Sequence, residues 1–203
     1  NVRIISPQEE IIQKKGEGLL FFKAGSHWSP HGAFVGYQKL ISEIIRENRE
    51  INMLSEDDFN ITLKNGFEIS EDDYYDDILL IRYGISEYEA KKKYEKTKYK
   101  YYYPKEQYKF TFIKYIKNEK KKGIITQNSS AKYDVIIFRD SFTTAWVPYV
   151  SETFRNVEYI WNHNINKYQD KIKKDKPDII IHEIVERNIR HLSLDTPRLK
   201  EIK

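Results

Sequence analysis

The sequence has 203 residues, with 35 Lys or Arg, 31 Asp or Glu, and a formal net charge of +4. This length suits one domain with a real core, and the absence of any apolar run of 18 residues excludes a membrane-spanning segment. The sequence has no cysteine, which excludes disulfides, thiolate metal sites and cysteine nucleophiles.

The first element predicted along the chain is a buried strand over 18–24, GLLFFKA, because an apolar run lies between glycines. A helix follows at once. Ser29 is a good N-cap, and Pro30 suits the first helical position. Apolar side chains then recur at helical spacing at residues 33, 34, 37, 40, 41, 44 and 45. We expect this helix to end near Arg49.

The middle of the chain changes in composition. Residues 51–90 are acidic and irregular, and we expect a short helix or turn in 70–86. A tract with thirteen lysines follows between Lys91 and Lys122, rich in tyrosine. Alternation at Phe110 and Phe112 predicts strands within this tract, and NEKKKG resembles a hairpin turn. We interpret about 51–130 as a Lys/Tyr-rich insertion.

The last third of the chain alternates regularly between strands and helices. The predicted elements are a strand over 133–138, a helix over 141–154 with Pro148 as a kink or stop, a strand over 157–161, a helix over 165–175 and a strand over 177–184. This alternation is typical of a parallel sheet covered by helices. We therefore predict an α/β, flavodoxin-like fold in a single domain over 1–203.

Candidate chemistry lies where the predicted strands end, because open α/β sheets bind ligands at the carboxyl ends of their strands. Ser141 lies at a strand-to-helix turn, the geometry of a nucleophile elbow, and His27 is a candidate base. Spacing alone favours plainer interpretations. In these, Asp140 or Ser141 caps the helix, and His27 is structural.

Three sequence blocks carry a family resemblance. LLFFKAGSHWSPHGAF resembles a segment of the alginate O-acetyltransferase-like proteins of the SGNH hydrolase superfamily, with matches at residues 23, 27, 28, 32 and 33. The block IIFRDSF is similar to the family's Gly-(Asp/Thr)-Ser-(Phe/Tyr) motif, and PDIIIHEIVER is similar to its late strand ending in Glu-Arg. The blocks occur in the family's order.

This resemblance implies a bacterial, extracytoplasmic enzyme that transfers an acetyl or other acyl group to a cell-surface polysaccharide, or hydrolyses such an ester. The implied catalytic residues are Ser141, which is transiently acylated, and His27, the base. The implied partners are the polysaccharide and an acyl donor, with a membrane acyl-transfer protein as one possible donor. The resemblance implies no cofactor, and a membrane would be reached only through an N-terminal anchor that we expect to be missing from this sequence.

Two positions depart from the family pattern. The family's aspartate two residues before the histidine is Gly25 here, and the glycine before Asp140 is Arg139. Loss of the carboxylate leaves the imidazole without its orienting partner, since neutralising that partner in a serine protease costs about 10⁴ in kcat. The alternative is therefore a catalytically impaired relative that binds a glycan or a partner protein.

Further candidates are weaker. Phe142 contributes a backbone N–H to a possible oxyanion hole, and Asn162 is either an oxyanion donor or a turn asparagine. Arg139 and Arg187 are candidates for binding substrate, although Arg187 is equally suited to pairing with a nearby acid. His27 and His31 are four residues apart, but His27 precedes the helix cap, so we predict no metal site.

The lysine- and tyrosine-rich tract has two interpretations. It is either a solvated insertion or a surface for an acidic polymer, because lysine supplies charge and tyrosine rings stack on sugars or bases. No nucleic-acid-binding motif accompanies it, so we expect no nucleic acid partner. If the tract binds a polymer, an anionic glycan fits the resemblance better.

Overall fold

A computed structural model describes residues 2–22, 27–47, 50–65, 92, 97–116 and 123–191. The chain divides into two compact units, Asn1–Gln107 and Tyr108–Lys203. The single domain over 1–203 stays a prediction. The short helix or turn expected in 70–86 lies outside the described residues.

The first unit combines two helices with a two-stranded sheet. Its elements are α1 (Gln8–Gln13), a 3₁₀ turn (Lys14–Glu17), α2 (Pro30–Ile45), a 3₁₀ turn (Glu56–Asp58), β1 (Phe59–Asn65) and β2 (Lys98–Pro104). The start of α2 is as predicted, because the Ser29 hydroxyl accepts a hydrogen bond from the Gly32 N–H at 3.3 Å and Pro30 opens the helix.

The strand predicted over 18–24 is wrong for its described part. Residues 18–22 form an irregular segment in which Phe21 makes one isolated antiparallel bridge with Trp28. Its backbone makes single hydrogen bonds to two neighbours, since the Ser29 N–H donates to the Leu20 carbonyl at 2.9 Å and the Leu19 N–H donates to the Lys98 carbonyl at the start of β2 at 3.2 Å. The predicted residues 23 and 24 lie outside the described residues.

The core of the first unit lies between α2 and the β1–β2 sheet. The Phe34 ring packs against Tyr102, with ring centroids 4.7 Å apart, and against Phe59 at 5.3 Å. β1 and β2 are antiparallel, with Phe59 opposite Pro104. The irregular structure expected from residue 51 onward is therefore corrected over 59–65, where pairing with a strand of the tyrosine-rich tract orders the chain.

The second unit contains a five-stranded sheet with helices. Its elements are β3 (Thr111–Ile116), β4 (Gly123–Gln127), β5 (Lys132–Phe138), a 3₁₀ turn (Phe142–Trp146), α3 (Val147–Thr153), β6 (Phe154–Ile160), a 3₁₀ turn (Ile165–Tyr168), α4 (Gln169–Asp175), β7 (Ile179–His182) and a 3₁₀ turn (Glu186–His191). The strand order is β3-β4-β6-β5-β7.

The α/β class is confirmed, and the sheet is mixed. β5 is parallel to both β6 and β7, whereas β4 is antiparallel to both β3 and β6. β3 and β4 come from the region interpreted as an insertion, and they extend the central sheet instead of lying apart from it. The register places Ile116 opposite Gly123, as the predicted hairpin requires, while residues 117–122 lie outside the described residues.

Helices cover both faces of the sheet. On one face, Phe138 and Ile160 form a buried cluster against Tyr168 and Ile172, the latter from α4. On the other face, the buried Tyr159 hydroxyl bonds to Ser151 of α3 at 2.7 Å. The prediction that Pro148 kinks or stops a helix is wrong. This proline lies in the first turn of α3, where a missing N–H costs no helical hydrogen bond.

Candidate active site at the ends of two parallel strands

The strand order of the second unit creates a reversal beside β5. The chain passes from β5 to β6 on one side and then returns to β7 on the other. In open α/β sheets the crevice outside the carboxyl ends of strands at such a reversal is the usual ligand site. The residues that follow β5 and β7 are therefore the first place to look for chemistry, and they include Ser141 and Glu183.

Ser141 lies at the turn between β5 and the following 3₁₀ turn, as predicted. Its side chain is half-buried, and it makes no capping hydrogen bond to that turn. The cap comes from Asp140, whose Oδ1 accepts a hydrogen bond from the Phe142 N–H at 2.9 Å. Of the two plainer interpretations offered for this turn, the structure therefore assigns the capping role to Asp140.

Asp140 also joins the ends of the two strands. Its Oδ2 accepts a hydrogen bond from the Val185 N–H at 2.9 Å, while Oδ1 bonds to the Phe142 N–H. Asp140 itself is buried. Two backbone donors from different segments thus converge on one buried carboxyl group, which fixes the turn that carries Ser141.

Glu183, the first residue after β7, meets Asp140 from the other side. Its Oε2 accepts hydrogen bonds from the Asp140 N–H at 3.0 Å and from the Thr143 hydroxyl at 2.9 Å. Burial and the neighbouring Asp140 charge raise the pKa of Glu183 to about 8. Glu183 is therefore a largely neutral carboxylic acid at pH 7.

Arg139 is buried, with only 2% of it exposed, and its guanidinium lies 4.6 Å from the centroid of the Trp161 ring. Its Nη1 donates both to the Asp140 carbonyl at 3.1 Å and to the Thr144 hydroxyl at 3.0 Å. These contacts give Arg139 a role in holding the turn, and its role in binding substrate stays a prediction.

The remaining candidates near Ser141 have defined contacts. The Phe142 N–H is engaged by Asp140, so an oxyanion at this position would compete with that hydrogen bond. The Arg187 guanidinium lies over the Phe142 ring, with Cζ 5.7 Å from the ring centroid, and Arg187 is otherwise exposed. A role for Arg187 in substrate binding and a role for Phe142 in an oxyanion hole both stay predictions.

Asn162 is in the turn arrangement that the plainer interpretation describes. Its amide oxygen accepts a hydrogen bond from the Asn164 N–H at 2.8 Å, and its amide nitrogen lies 3.4 Å from the Tyr168 hydroxyl. The oxyanion role for Asn162 stays a prediction, and these contacts favour a loop asparagine.

A pair of histidines lies after β6 and at the end of β7. His163 Nδ1 and His182 Nε2 are 3.1 Å apart. Burial, followed by the nearby His163, lowers the pKa of His182. Within the described parts of the chain, no group of three or more His, Asp or Glu side chains is arranged to hold a metal ion.

The two histidines of the first unit have different surroundings. His27 is half-buried, and its carbonyl accepts a hydrogen bond from the Phe22 N–H at 3.1 Å. His31 is fully buried on α2, with its Nδ1 2.7 Å from the Tyr102 hydroxyl. Burial lowers the pKa of His31 to about 4, so its ring is neutral at pH 7.

The proposed Ser141–His27 pair spans the two units. Residues 18–22 are not a strand of the five-stranded sheet, so the argument that a shared sheet edge brings His27 to Ser141 no longer applies. The pair stays a prediction that depends on the family resemblance. Gly25 lies outside the described residues.

Sequence reasoning missed the pairing of Asp140 with Glu183. Asp140 follows the strand predicted over 133–138, and Glu183 lies near the end of the strand predicted over 177–184, but their proximity depends on β5 and β7 being neighbours. A prediction of which parallel strands are neighbours would have indicated that these two acids meet.

Comparisons with known proteins support the fold. No protein-family model matches the chain, and no curated protein sequence matches it significantly. Among solved structures, Bacillus cereus PatB1 is similar with a TM-score of 0.59 and 18% identity, over 89% of this chain and 65% of that one. The same protein with a sulfonyl adduct gives 0.61 and 16%, over 93% and 69%.

A third similar structure is a DHHW family protein from Eubacterium siraeum. It matches with a TM-score of 0.58 and 13% identity, over 90% of this chain and 64% of that one. This chain thus spans less than two thirds of the length of the first PatB1 structure and of the DHHW family protein. At these identities the likeness concerns the fold, which is mixed α/β and similar to that of PatB1.

Among the helices that the structure describes, none is long and apolar enough to cross a membrane.

Proposed function

We propose that this protein is a serine-dependent O-acyltransferase, acting on an exported or cell-surface polysaccharide, with ester hydrolysis as the corresponding reaction with water. The observation that carries the proposal is the location of Ser141, at the turn after β5 and beside the strand-order reversal. The family resemblance of the three sequence blocks and the likeness in fold to PatB1 support it.

In the proposed reaction, Ser141 Oγ attacks the carbonyl carbon of an acyl donor. His27 accepts the serine proton and then donates it to the departing alkoxide, which leaves an acyl-serine. A sugar hydroxyl, or water, then attacks this ester after giving its proton to His27. The acyl group passes to the new oxygen and the proton returns to Ser141.

Asp140 and Arg139 would hold the nucleophile in place without taking part in bond changes. Asp140 bonds to the backbone after β5 and after β7, through the Phe142 and Val185 N–H groups, and Arg139 bonds to the Asp140 carbonyl. A nucleophile held by a rigid turn supplies part of the catalytic effect, because it loses little freedom on approaching the acyl carbon.

A second candidate is a relative that binds a glycan without catalysis. Two observations favour it, namely Gly25 at the position of the family's carboxylate and the engagement of the Phe142 N–H by Asp140. On this alternative, we expect glycan binding that is unchanged in Ser141→Ala.

The deciding experiment combines turnover with covalent labelling. We expect the wild type to hydrolyse a chromogenic acetyl ester and to be labelled at Ser141 by an aryl sulfonyl fluoride, which sulfonylates activated serines. Ser141→Ala should lose both properties, and His27→Ala should lose most of both. Ser130→Ala, at an exposed turn of the second unit, is the matched control and should retain both.

The outcomes separate the candidates. Turnover that survives both Ser141→Ala and His27→Ala would contradict the catalytic proposal. Absence of turnover and labelling in a folded wild type, with retained binding of an anionic glycan, would favour the second candidate.

A further inference from the structure

Two acidic side chains meet at the ends of β5 and β7. The Asp140 N–H donates a hydrogen bond to Glu183 Oε2 at 3.0 Å, and the Thr143 hydroxyl donates to the same oxygen at 2.9 Å. The carboxyl group of Glu183 therefore lies against the turn that carries Ser141. Burial and the neighbouring Asp140 charge raise its pKa to about 8, so Glu183 keeps its proton at pH 7.

Backbone donors hold the Asp140 carboxyl group at both of its oxygens. One oxygen accepts the Phe142 N–H and the other accepts the Val185 N–H, both at 2.9 Å. Glu183 Oε2 accepts the Asp140 N–H, so the carboxyl groups of both residues fix the same turn.

The pair links three segments. Glu183 follows β7, Asp140 follows β5, and Thr143 lies in the 3₁₀ turn after Ser141. Because Glu183 accepts hydrogen bonds from the residue before Ser141 and from the second residue after it, it spans the position of the nucleophile. A change in Glu183 is thus transmitted directly to the turn that carries Ser141.

We propose that Glu183 is a positioning residue, whose carboxyl group accepts hydrogen bonds from the Asp140 N–H and the Thr143 hydroxyl and so holds the 140–143 turn that presents Ser141. The role in positioning is structural and stands on the contacts. Its effect on turnover rests on the function proposed above.

The surroundings of the pair set the direction of its pH dependence. The ionisable groups around it are Asp140 itself, Arg139 on the same turn, His182 on β7, His163 beside His182, and Arg187 over Phe142. Arg139 bonds to the Asp140 carbonyl and to the Thr144 hydroxyl. Glu183 has a pKa of about 8, so raising the pH through 8 removes the proton of its carboxyl group.

Loss of that proton places two negative charges side by side. Their repulsion opposes the Asp140–Glu183 hydrogen bond and loosens the turn around Ser141. We expect ester hydrolysis and sulfonyl labelling of the wild type to decline above about pH 8. A displacement of a nucleophile by about 1 Å is enough to reduce the rate by about 100-fold.

The first test does not depend on activity. Infrared difference spectra between Glu183→Gln and the wild type at pH 7 should show the loss of one protonated-carboxyl C=O band. The wild-type band should disappear as the pH rises from 7 to 9. Glu186→Gln, an exposed acid three residues further on, is the control and should keep the band.

The second test uses the pH profile of turnover and of labelling. In Glu183→Gln the side chain is a neutral amide that loses no proton in this pH range, so the decline above pH 8 should disappear. Glu183→Ala removes both acceptor contacts, and its turnover should fall by about 100-fold at every pH.

Two results would overturn the proposal. One is a protonated-carboxyl band that persists in Glu183→Gln, and the other is the same alkaline decline in Glu183→Gln as in the wild type. If the wild type neither turns over esters nor reacts with the sulfonyl fluoride, the proposed function fails, and the infrared test still decides the protonation of Glu183.

Discussion

Glu183 Oε2 accepts a hydrogen bond from the Asp140 N–H at 3.0 Å, at the ends of the adjacent parallel strands β7 and β5. The two residues are far apart in sequence, and they meet because β7 pairs with β5 on the side opposite β6. The reversal of strand order therefore brings the two acids together beside Ser141.

The acid pair makes stability depend on pH. Glu183 has a usual pKa of 4.5 when unfolded and about 8 when folded, so the folded state holds the extra proton between these values. Its contribution is complete below about pH 4.5 and is lost as the pH rises through 8. We predict that the free energy of unfolding of the wild type, measured with urea, falls between about pH 4.5 and 8. Glu183 should contribute up to about 1.4 kcal/mol per pH unit to this fall.

The comparison with a neutral variant isolates the contribution of Glu183. Glu183→Gln should remove that part of the slope, and Glu186→Gln should leave it unchanged. Parallel pH profiles of stability for the wild type and Glu183→Gln would contradict the prediction.

Gly32 illustrates a close approach that no larger residue permits. A Cβ atom at this position would collide with the carbonyl oxygen of Leu20, which is backbone and cannot rotate away. We predict that Gly32→Ala lowers the free energy of unfolding by about 1–3 kcal/mol or more, since about 1–3 kcal/mol is the usual cost of overpacking.

The matched control is Gly16→Ala, because nothing lies within 4 Å of a Cβ atom at that position. Thermal or urea unfolding of the two variants measures the difference. Equal stabilities would mean that the 18–22 segment shifts away from α2 at little cost.

Local sequence signals predicted the elements that depend on local physics. Ser29 and Pro30 set the start of α2, and the β-branched run at 133–138 became β5. Ser141 was placed at the turn after β5 for the same reason, since strand and helix patterns meet there. These features need no knowledge of distant residues.

Pairing partners decided the features that were missed. GLLFFKA has the composition of a strand, but within its described part the backbone bonds to the chain that returns before α2. β3 and β4 were interpreted as part of an insertion, because nothing local shows that β4 pairs antiparallel with β6. The contact of Glu183 with Asp140 was missed for the same reason.

A buried histidine in the first unit depends on one tyrosine hydroxyl. Tyr102 donates its proton to Glu56 at 3.1 Å and therefore accepts from His31 Nδ1–H at 2.7 Å. His31 is only 1% exposed, so water cannot replace that acceptor. We predict that Tyr102→Phe destabilises the protein by about 1–3 kcal/mol, the cost of leaving a buried polar group unpaired.

The control for this prediction is Tyr103→Phe, at the neighbouring residue of β2, whose side chain is 41% exposed. It should change the free energy of unfolding by no more than about 0.5 kcal/mol. A Tyr102→Phe variant as stable as Tyr103→Phe would show that the His31–Tyr102 hydrogen bond makes no net contribution.

Gly25 offers a test of whether His27 is the base. The family resemblance puts an aspartate at this position, where its carboxylate orients the imidazole and stabilises the imidazolium formed when the serine loses its proton. If His27 serves Ser141, then Gly25→Asp supplies the missing partner. We predict a rise in kcat/KM for a chromogenic acetyl ester, up to about 10⁴-fold, which is the effect of that carboxylate in serine proteases.

The matched control is Gly25→Asn, which has nearly the same shape without the negative charge and should give little of the rise. The double variant Gly25→Asp with Ser141→Ala should be inactive, because the gain acts through the serine. Measured at pH 7, below the decline expected from Glu183, the comparison separates the two effects. A Gly25→Asp variant that folds normally but turns over esters no faster than Gly25→Asn would mean that His27 is not the proton acceptor of Ser141.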